Sequence, residues 1–237
     1  MNIETSKITI STWLIILLAF LCLTIAAAVW YFYLEESNIK LIGLVGGVVS
    51  GLIVSILTFV TSIRPLQRLA QYERMGIKNI LTNRHDKTYY SQPLARAEKS
   101  ICVMGASCTR FVEDFLDSQS DDRVLVESLR RHRKLNVQLL APDHDHLSAD
   151  AKLGTARLER KLEALRVEFG DRVQLRRFPN IARHSFVIAD DDLIAGPIFE
   201  EDDSKYAPAV HLRMSTPFGQ KYKDYFDRIW SGCAPIG

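Results

Sequence analysis

The stretch RHSFVIADDD, residues 183–192, sets His184 a few residues ahead of Asp190, Asp191 and Asp192, and these are residue types with which phosphodiesters are attacked. Arg183 adds a cation next door, but in a strand it points to the face opposite His184. A second grouping, APDHDHLS, brings His144 and His146 just beyond the end of an apolar run, where open α/β sheets bind ligands. Its two imidazoles and one carboxylate suit a metal, yet no further ligand stands at a recognisable spacing, and a solvated loop accounts for the same residues. The densest basic run is RRHRK, with Arg130, Arg131, Arg133 and Lys134, and Arg176 and Arg177 follow downstream. Such a run forms one wet face of a helix, or a surface for anionic lipid headgroups or a nucleic-acid backbone. The acidic runs Asp190 to Asp192 and Glu200 to Asp203 oppose it, so any such surface is one-sided. No glycine-rich phosphate loop, GxSxG elbow, HExxH or CxxC pair is present, and the composition calls for no cofactor.

The elements that must position these groups read as an α/β pattern. SICVMGAS is a short buried strand ending in small residues, with a helix around FVEDFLDS and another in DRVLVESLRRHRK. The strand NVQLLAPD comes next, then a long helix with Leu158, Leu162, Leu165 and Phe169 on one face, ended by Gly170. RVQLRRF is a strand, HSFVIADDDLIAGPIF a strand pair turning at the aspartates, AVHLRM a strand, and a last helix runs from about Phe218 to Ser231. Strands alternating with helices predict a mixed sheet, in a domain over residues 95–237 large enough for its own core.

The first quarter of the chain places that domain. No residue is charged from Ile8 to Leu34 or from Leu41 to Ile63, and each run reaches the roughly 20 residues that span a bilayer as helix. The first is too long for a signal peptide, and Trp30, Tyr31, Phe32 and Tyr33, with Trp13 opposite, read as aromatic belts. The expected order is a cytoplasmic N-terminus at 1–10, transmembrane helices at 11–34 and 41–63 and an external turn at 35–40. A stalk helix and linker over 64–94 would follow, with Pro65 opening the helix and Leu66, Leu69, Ile77, Ile80 and Leu81 at helical spacing. Arg64, Arg68, Arg74 and Lys78 follow the second run, whereas the turn holds only Lys40 beside two glutamates. Both termini of a multi-pass protein are therefore expected in the cytoplasm.

Gly43, Gly47, Gly51 and Ser55 form a stripe of small residues four apart, which lets helix backbones approach closely in lipid, either onto the first helix or between chains of a homo-oligomer. Neither run carries an ionisable side chain, which argues against a carrier or pump. The four cysteines show no paired spacing and are expected as free thiols. After residue 63 the chain holds 28 basic and 25 acidic residues, a balance that does not by itself point to nucleic acid.

AEKSICVMGAS, HSFVIADDDLIAG, and HLRM followed by YKDYFDRIW, in this order from Ala95 to Trp230, resemble the phospholipase D-like domain. The resemblance implies an H-x-K-x-x-x-x-D motif on the strand pair, its histidine attacking phosphorus and its lysine holding the phosphoryl oxygens, with two copies facing each other. It puts His184 at the nucleophile and Asp191 at the acid, with Phe186 where the lysine belongs. A phenylalanine supplies no cation to a transition state that gathers charge on the equatorial oxygens. The single motif would also need a second chain. The domain is thus expected as a degenerate member: an active phosphodiesterase, a fold keeping His184 for structure, or a pocket that holds a phosphate-bearing ligand or nucleic acid uncut.

The layout of two spanning helices and a cytoplasmic domain looks like the two-transmembrane effectors of bacterial antiphage systems, including retrons. There the resemblance implies an effector in the bacterial inner membrane, held beside a reverse transcriptase and its RNA–DNA product until infection, when it depolarises that membrane in an abortive response. Other expectations from the same residues are a membrane-tethered phospholipase D-like hydrolase and a passive scaffold tethering a nucleic-acid-bound partner.

Overall fold

The computed structural model describes residues 4–33, 39–117, 123–199 and 206–234, so the centre of the expected external turn and the acidic run Glu200 to Asp203 lie outside the described residues. The chain divides into two compact units, Met1–Gln71 and Tyr72–Gly237.

The first unit is helical. Helix α1 runs from Glu4 to Phe32, and α2 begins at Ile39 and continues over 36 residues to Arg74. Among the described residues α2 supplies one stretch, from Gly43, long and apolar enough to cross a membrane, and α1 a shorter apolar stretch, Leu17–Tyr31. Hydroxyls described in this unit bond back to their own helices: Thr24 donates to the Phe20 carbonyl, Ser50 to Gly46, Ser55 to Gly51 and Thr58 to Val54. Each of these four side chains is thereby satisfied without water. A Cβ on Gly46 would lie 3.7 Å from the Tyr31 ring, whereas one on Gly43, Gly47 or Gly51 would meet nothing within 4 Å.

The expected stalk is corrected by the structure. Helix α2 passes through Pro65 without a new start, and Ile77, Ile80 and Leu81 belong to a strand, β1 (Ile77–Leu81). Gly76 is the reason: its φ of +76° ends the helix, its N–H donates to the Glu73 carbonyl at 2.9 Å, and the chain leaves extended. The sheet domain thus begins well before residue 95. Inside the expected linker, Asp86 caps a further helix, α3 (Lys87–Arg96), by accepting from the Tyr89 N–H.

The remaining elements follow the sequence pattern: β2 (Ser100–Met104), α4 (Thr109–Phe115), α5 (Val124–Arg131), β3 (Asn136–Pro142), α6 (Ala149–Phe169), β4 (Val173–Phe178), β5 (His184–Ala189), β6 (Asp192–Pro197), β7 (Ala209–Arg213) and α7 (Pro217–Gly232). They build a seven-stranded mixed sheet in the order β1-β7-β6-β5-β2-β3-β4. Strands β2, β3 and β4 are parallel, and β5 returns antiparallel on the other side of β2, pairing Val103 with Val187 and Met104 with Phe186.

Alternation along the strands splits the core in two. One face carries Ile101, Val103, Ala189 and Ile194 against Leu94, Val112, Leu129, Leu158 and Leu162 of the helices α3 to α6. The other carries Cys102, Met104, Phe186, Ile188 and Leu193 against Phe226 of α7. Which face a β5 residue takes decides the site.

Candidate functional site

At the carboxyl end of β2 the small residues Gly105, Ala106 and Ser107 turn the chain into α4, with Cys108 in the left-handed region at φ 59°. The turn leaves a cleft of about 140 Å³ beside β5, where the parallel half of the sheet meets the antiparallel half, the usual position for ligands in open α/β sheets. The cleft lies on the α3–α6 face and takes Ser185 and Val187 from β5.

Its charged groups come from three places: Arg84 and His85 on the loop after β1, Lys87 from α3, and Arg110 and Asp114 from α4. The carboxylate of Asp114 pairs with both Lys87, at 2.8 Å, and Arg110, at 3.3 Å. Arg110 also donates to the His85 ring at 2.9 Å, and since a guanidinium has no acceptor, Nδ1 of His85 is the lone-pair nitrogen. Arg84 is 9% exposed. Its guanidinium donates to the carbonyls of Pro197, at 2.7 Å, and Ser185, at 3.4 Å, while its Nε has no partner. None of the ion pairs among the described residues involves it, and burial followed by repulsion from Arg110 draws its pKa down. Burial likewise pushes the Tyr90 hydroxyl in the cleft wall up to about 12.

The residues singled out from the sequence do not meet there. His184 and Phe186 point the other way, against α7. Phe186 is 1% exposed and packs edge-on to Tyr222 and Phe226, at ring distances of 5.3 and 6.2 Å. The His184 ring stands 5.9 Å from that of Tyr222, its buried Nδ1 unpartnered. Asp191 sits beyond the far end of the same strand, about 17 Å away at some 3.4 Å per residue, where its carboxylate accepts the Ser215 N–H. His184, Phe186 and Asp191 therefore do not form one site.

The H-x-K-x-x-x-x-D spacing is also met one residue earlier, by Arg183, Ser185 and Asp190. That register puts Ser185 on the cleft face and an acid with a defined task at its end: Asp190, at φ 49°, accepts the backbone N–H groups of Glu98 (2.7 Å), Ser100 (2.9 Å) and Lys99 (3.3 Å). In either register neither a histidine nor a lysine of the motif reaches the cleft.

The other candidates are dispersed. His146 is hydrogen-bonded to Asp143 at 2.5 Å in a short 3-10 turn, and among the described residues no group of three metal-ligating side chains forms. Arg130 pairs with Glu168 at 2.7 Å. Arg176 lies 4.3 Å over the Trp230 ring and donates to the Trp230 and Cys233 carbonyls, and Arg177 binds the Pro142 carbonyl and Glu159. Both are committed to structure, and they stand at the carboxyl end of β4, whereas Arg130 to Lys134 precede the start of the parallel strand β3. The six do not form one surface. The thiols are free as expected, and burial pushes Cys102 and Cys108 up to about 12.

A further constellation has no signal in the sequence. The Tyr89 hydroxyl meets Nδ1 of His211 at 2.6 Å, and Nε2 of His211 meets Asp192 at 2.7 Å, with Lys78 on the same carboxylate. It ties α3 to β1, β6 and β7. Burial raises the Asp192 pKa, and hydrogen bonds from His211 and Lys78 outweigh it, leaving the carboxyl at about 2.

No family model and no curated protein matches the sequence. Among solved structures the chain is similar to TrmBL2, an archaeal chromatin protein described with a novel mode of DNA binding, at 12% identity and a TM-score of 0.48, over 81% of this chain and 70% of that one. It is similar also to Nuc of Salmonella typhimurium, a phospholipase D family member, at 14% identity and a TM-score of 0.39, over 63% of this chain and 90% of that one. NucT from Helicobacter pylori follows at 15% identity and a TM-score of 0.40, over 63% and 89%. At such identities no residue's role passes from those proteins to this chain.

Proposed function

We propose that the protein is a membrane-embedded effector of a bacterial antiviral system of the abortive, retron-like kind. Its phospholipase D-like domain senses and does not cut, and its two N-terminal helices form an inner-membrane hairpin with both termini in the cytoplasm. The observation that supports this best is the outward stripe on α2: Gly43, Gly47 and Gly51 open onto empty space on a helix long enough to span a bilayer. In lipid, where packing drives association, such a face is complete only when a second helix covers it. Release of the α/β domain, in this reading by a reverse transcriptase with its RNA–DNA product, lets hairpins cluster and breach the membrane. The cleft supports the sensing role, since it gathers cations and lacks the motif's nucleophile.

The test is expression of the chain in bacteria beside a Gly47→Leu, Gly51→Leu variant, with membrane insertion confirmed by fractionation. Growth arrest by the parent and none by the variant is the expected result. Equal arrest by both removes helix packing as the trigger.

A further inference from the structure

The cleft on the α3–α6 face holds three permanent cations, Arg84, Lys87 and Arg110, and among its described lining residues one carboxylate, Asp114. The balance is an excess of two positive charges. Asp114 is already shared between Lys87 and Arg110, so the excess falls on the Arg84 and Arg110 guanidiniums. Burying a charged side chain without a counter-charge is costly. Arg84 lines the cleft, is 9% exposed and meets only carbonyl oxygens among the described residues, with its buried Nε unpartnered. Each terminal nitrogen of its guanidinium is bonded to one carbonyl and keeps a second N–H with which to meet an anion. The hydroxyl-bearing Ser107 and Ser185 complete a polar wall, and about 140 Å³ is many times the roughly 10–15 Å³ that admits one water.

We propose that this cleft binds the terminal phosphate of a phosphomonoester, held by Arg84 and Arg110 with Lys87 in support, and that the phosphate is bound without being cleaved. The charge decides between kinds of phosphate. A monoester carries close to two negative charges at neutral pH, matching the excess, whereas a diester carries one and leaves a buried cation unpaired. The proposal names the ligand of the domain read above as the sensor and rests on that reading.

Binding of inorganic phosphate, AMP, glycerol 3-phosphate and cyclic AMP to the full chain in detergent, by calorimetry, tests it. The monoesters should bind at least about tenfold more tightly than the cyclic diester, and binding should strengthen from pH 5.5 to 7.5 as the second phosphate proton, with a pKa near 6, is lost. AMP tighter than inorganic phosphate and glycerol 3-phosphate would mark a nucleotide, glycerol 3-phosphate tightest a lipid-type headgroup, and equal affinities the phosphoryl group alone. Each is a form of the proposal.

Arg110→Gln, on a side chain 40% exposed and so tolerated by the fold, should weaken phosphate and AMP by roughly 10- to 100-fold, as loss of a charged hydrogen bond does. Arg84→Gln should do the same where it folds. No binding by the parent chain, equal affinity for monoester and cyclic diester, or an Arg110→Gln variant that binds unchanged overturns the proposal. The effector reading fails separately, on growth arrest that ignores the α2 glycines.

Discussion

Phe186 stands where a phospholipase D-like motif has its lysine, so Phe186→Lys is the change that would repair a damaged active site. The structure predicts damage instead. The ring is 1% exposed, lies 5.3 Å from that of Tyr222 and 6.2 Å from that of Phe226, and belongs to the core beneath α7. Removing a buried phenylalanine costs about 3–5 kcal/mol, and an ammonium buried among aromatic rings without a counter-charge adds to this. Against a domain stability of about 5–15 kcal/mol that is a large share, and at about 2–4 °C per kcal/mol it lowers Tm by roughly 6–20 °C or prevents folding. Ser185→Thr is the control, since Ser185 is half-buried at the cleft and a small uncharged substitution there should cost under about 1 kcal/mol. Near-ultraviolet circular dichroism melts of the full chain in detergent read both variants, with bis(p-nitrophenyl) phosphate turnover assayed alongside. A Phe186→Lys protein that melts with the parent and turns over the diester would refute the reasoning, for it would place residue 186 in a site.

Two other outcomes follow from local geometry. Asp192 is held at about 2, below the ordinary carboxylate value of 3.8, so its contribution to stability is complete above about pH 4 and is lost as pH falls through 2. Asp192→Asn should flatten that acid limb in denaturant titrations between pH 2 and 5, and an unchanged limb would show that the Tyr89–His211–Asp192 cluster is not linked to folding. Gly76→Ala should destabilise by about 1–2 kcal/mol or more, because φ is +76° and the new Cβ would fall 2.3 Å from Thr216 Cγ2. Thr216→Ser in the same chain should recover the steric part of the loss in Tm and leave the backbone part.

The alternation of apolar runs made β2 to β7 and α4 to α7 legible, because each is long enough to show its period and is bounded by a turn residue such as Gly170. Strand β1 and helix α3 were not. IKNIL continues the helical spacing of the residues before it, and only the left-handed Gly76, a tertiary fact, breaks the run. KTYYSQPLAR is polar and carries Pro93, yet Asp86 caps it and the core holds Tyr90 and Leu94. The candidate site was least legible. Arg84, Lys87, Arg110 and Asp114 come from a loop and two helices and share no spacing, so only the fold assembles them. The near-motif misled by one residue: His184 and Asp191 satisfy its letters, but the strand's period of two sends His184 and Phe186 to the other face, and Asp190, with its three backbone N–H groups, is the acid that organises the turn.

In the proposed function the membrane helices act and the α/β domain senses without cutting. Membrane potential, followed with a voltage-sensitive dye in cells expressing the parent chain, His184→Ala, or the Gly47→Leu, Gly51→Leu pair, with and without phage infection, tests it most directly. Depolarisation by the parent and by His184→Ala, and none by the glycine pair, is the expected result. Depolarisation that requires His184 and ignores the glycines would contradict it and make the protein a hydrolase.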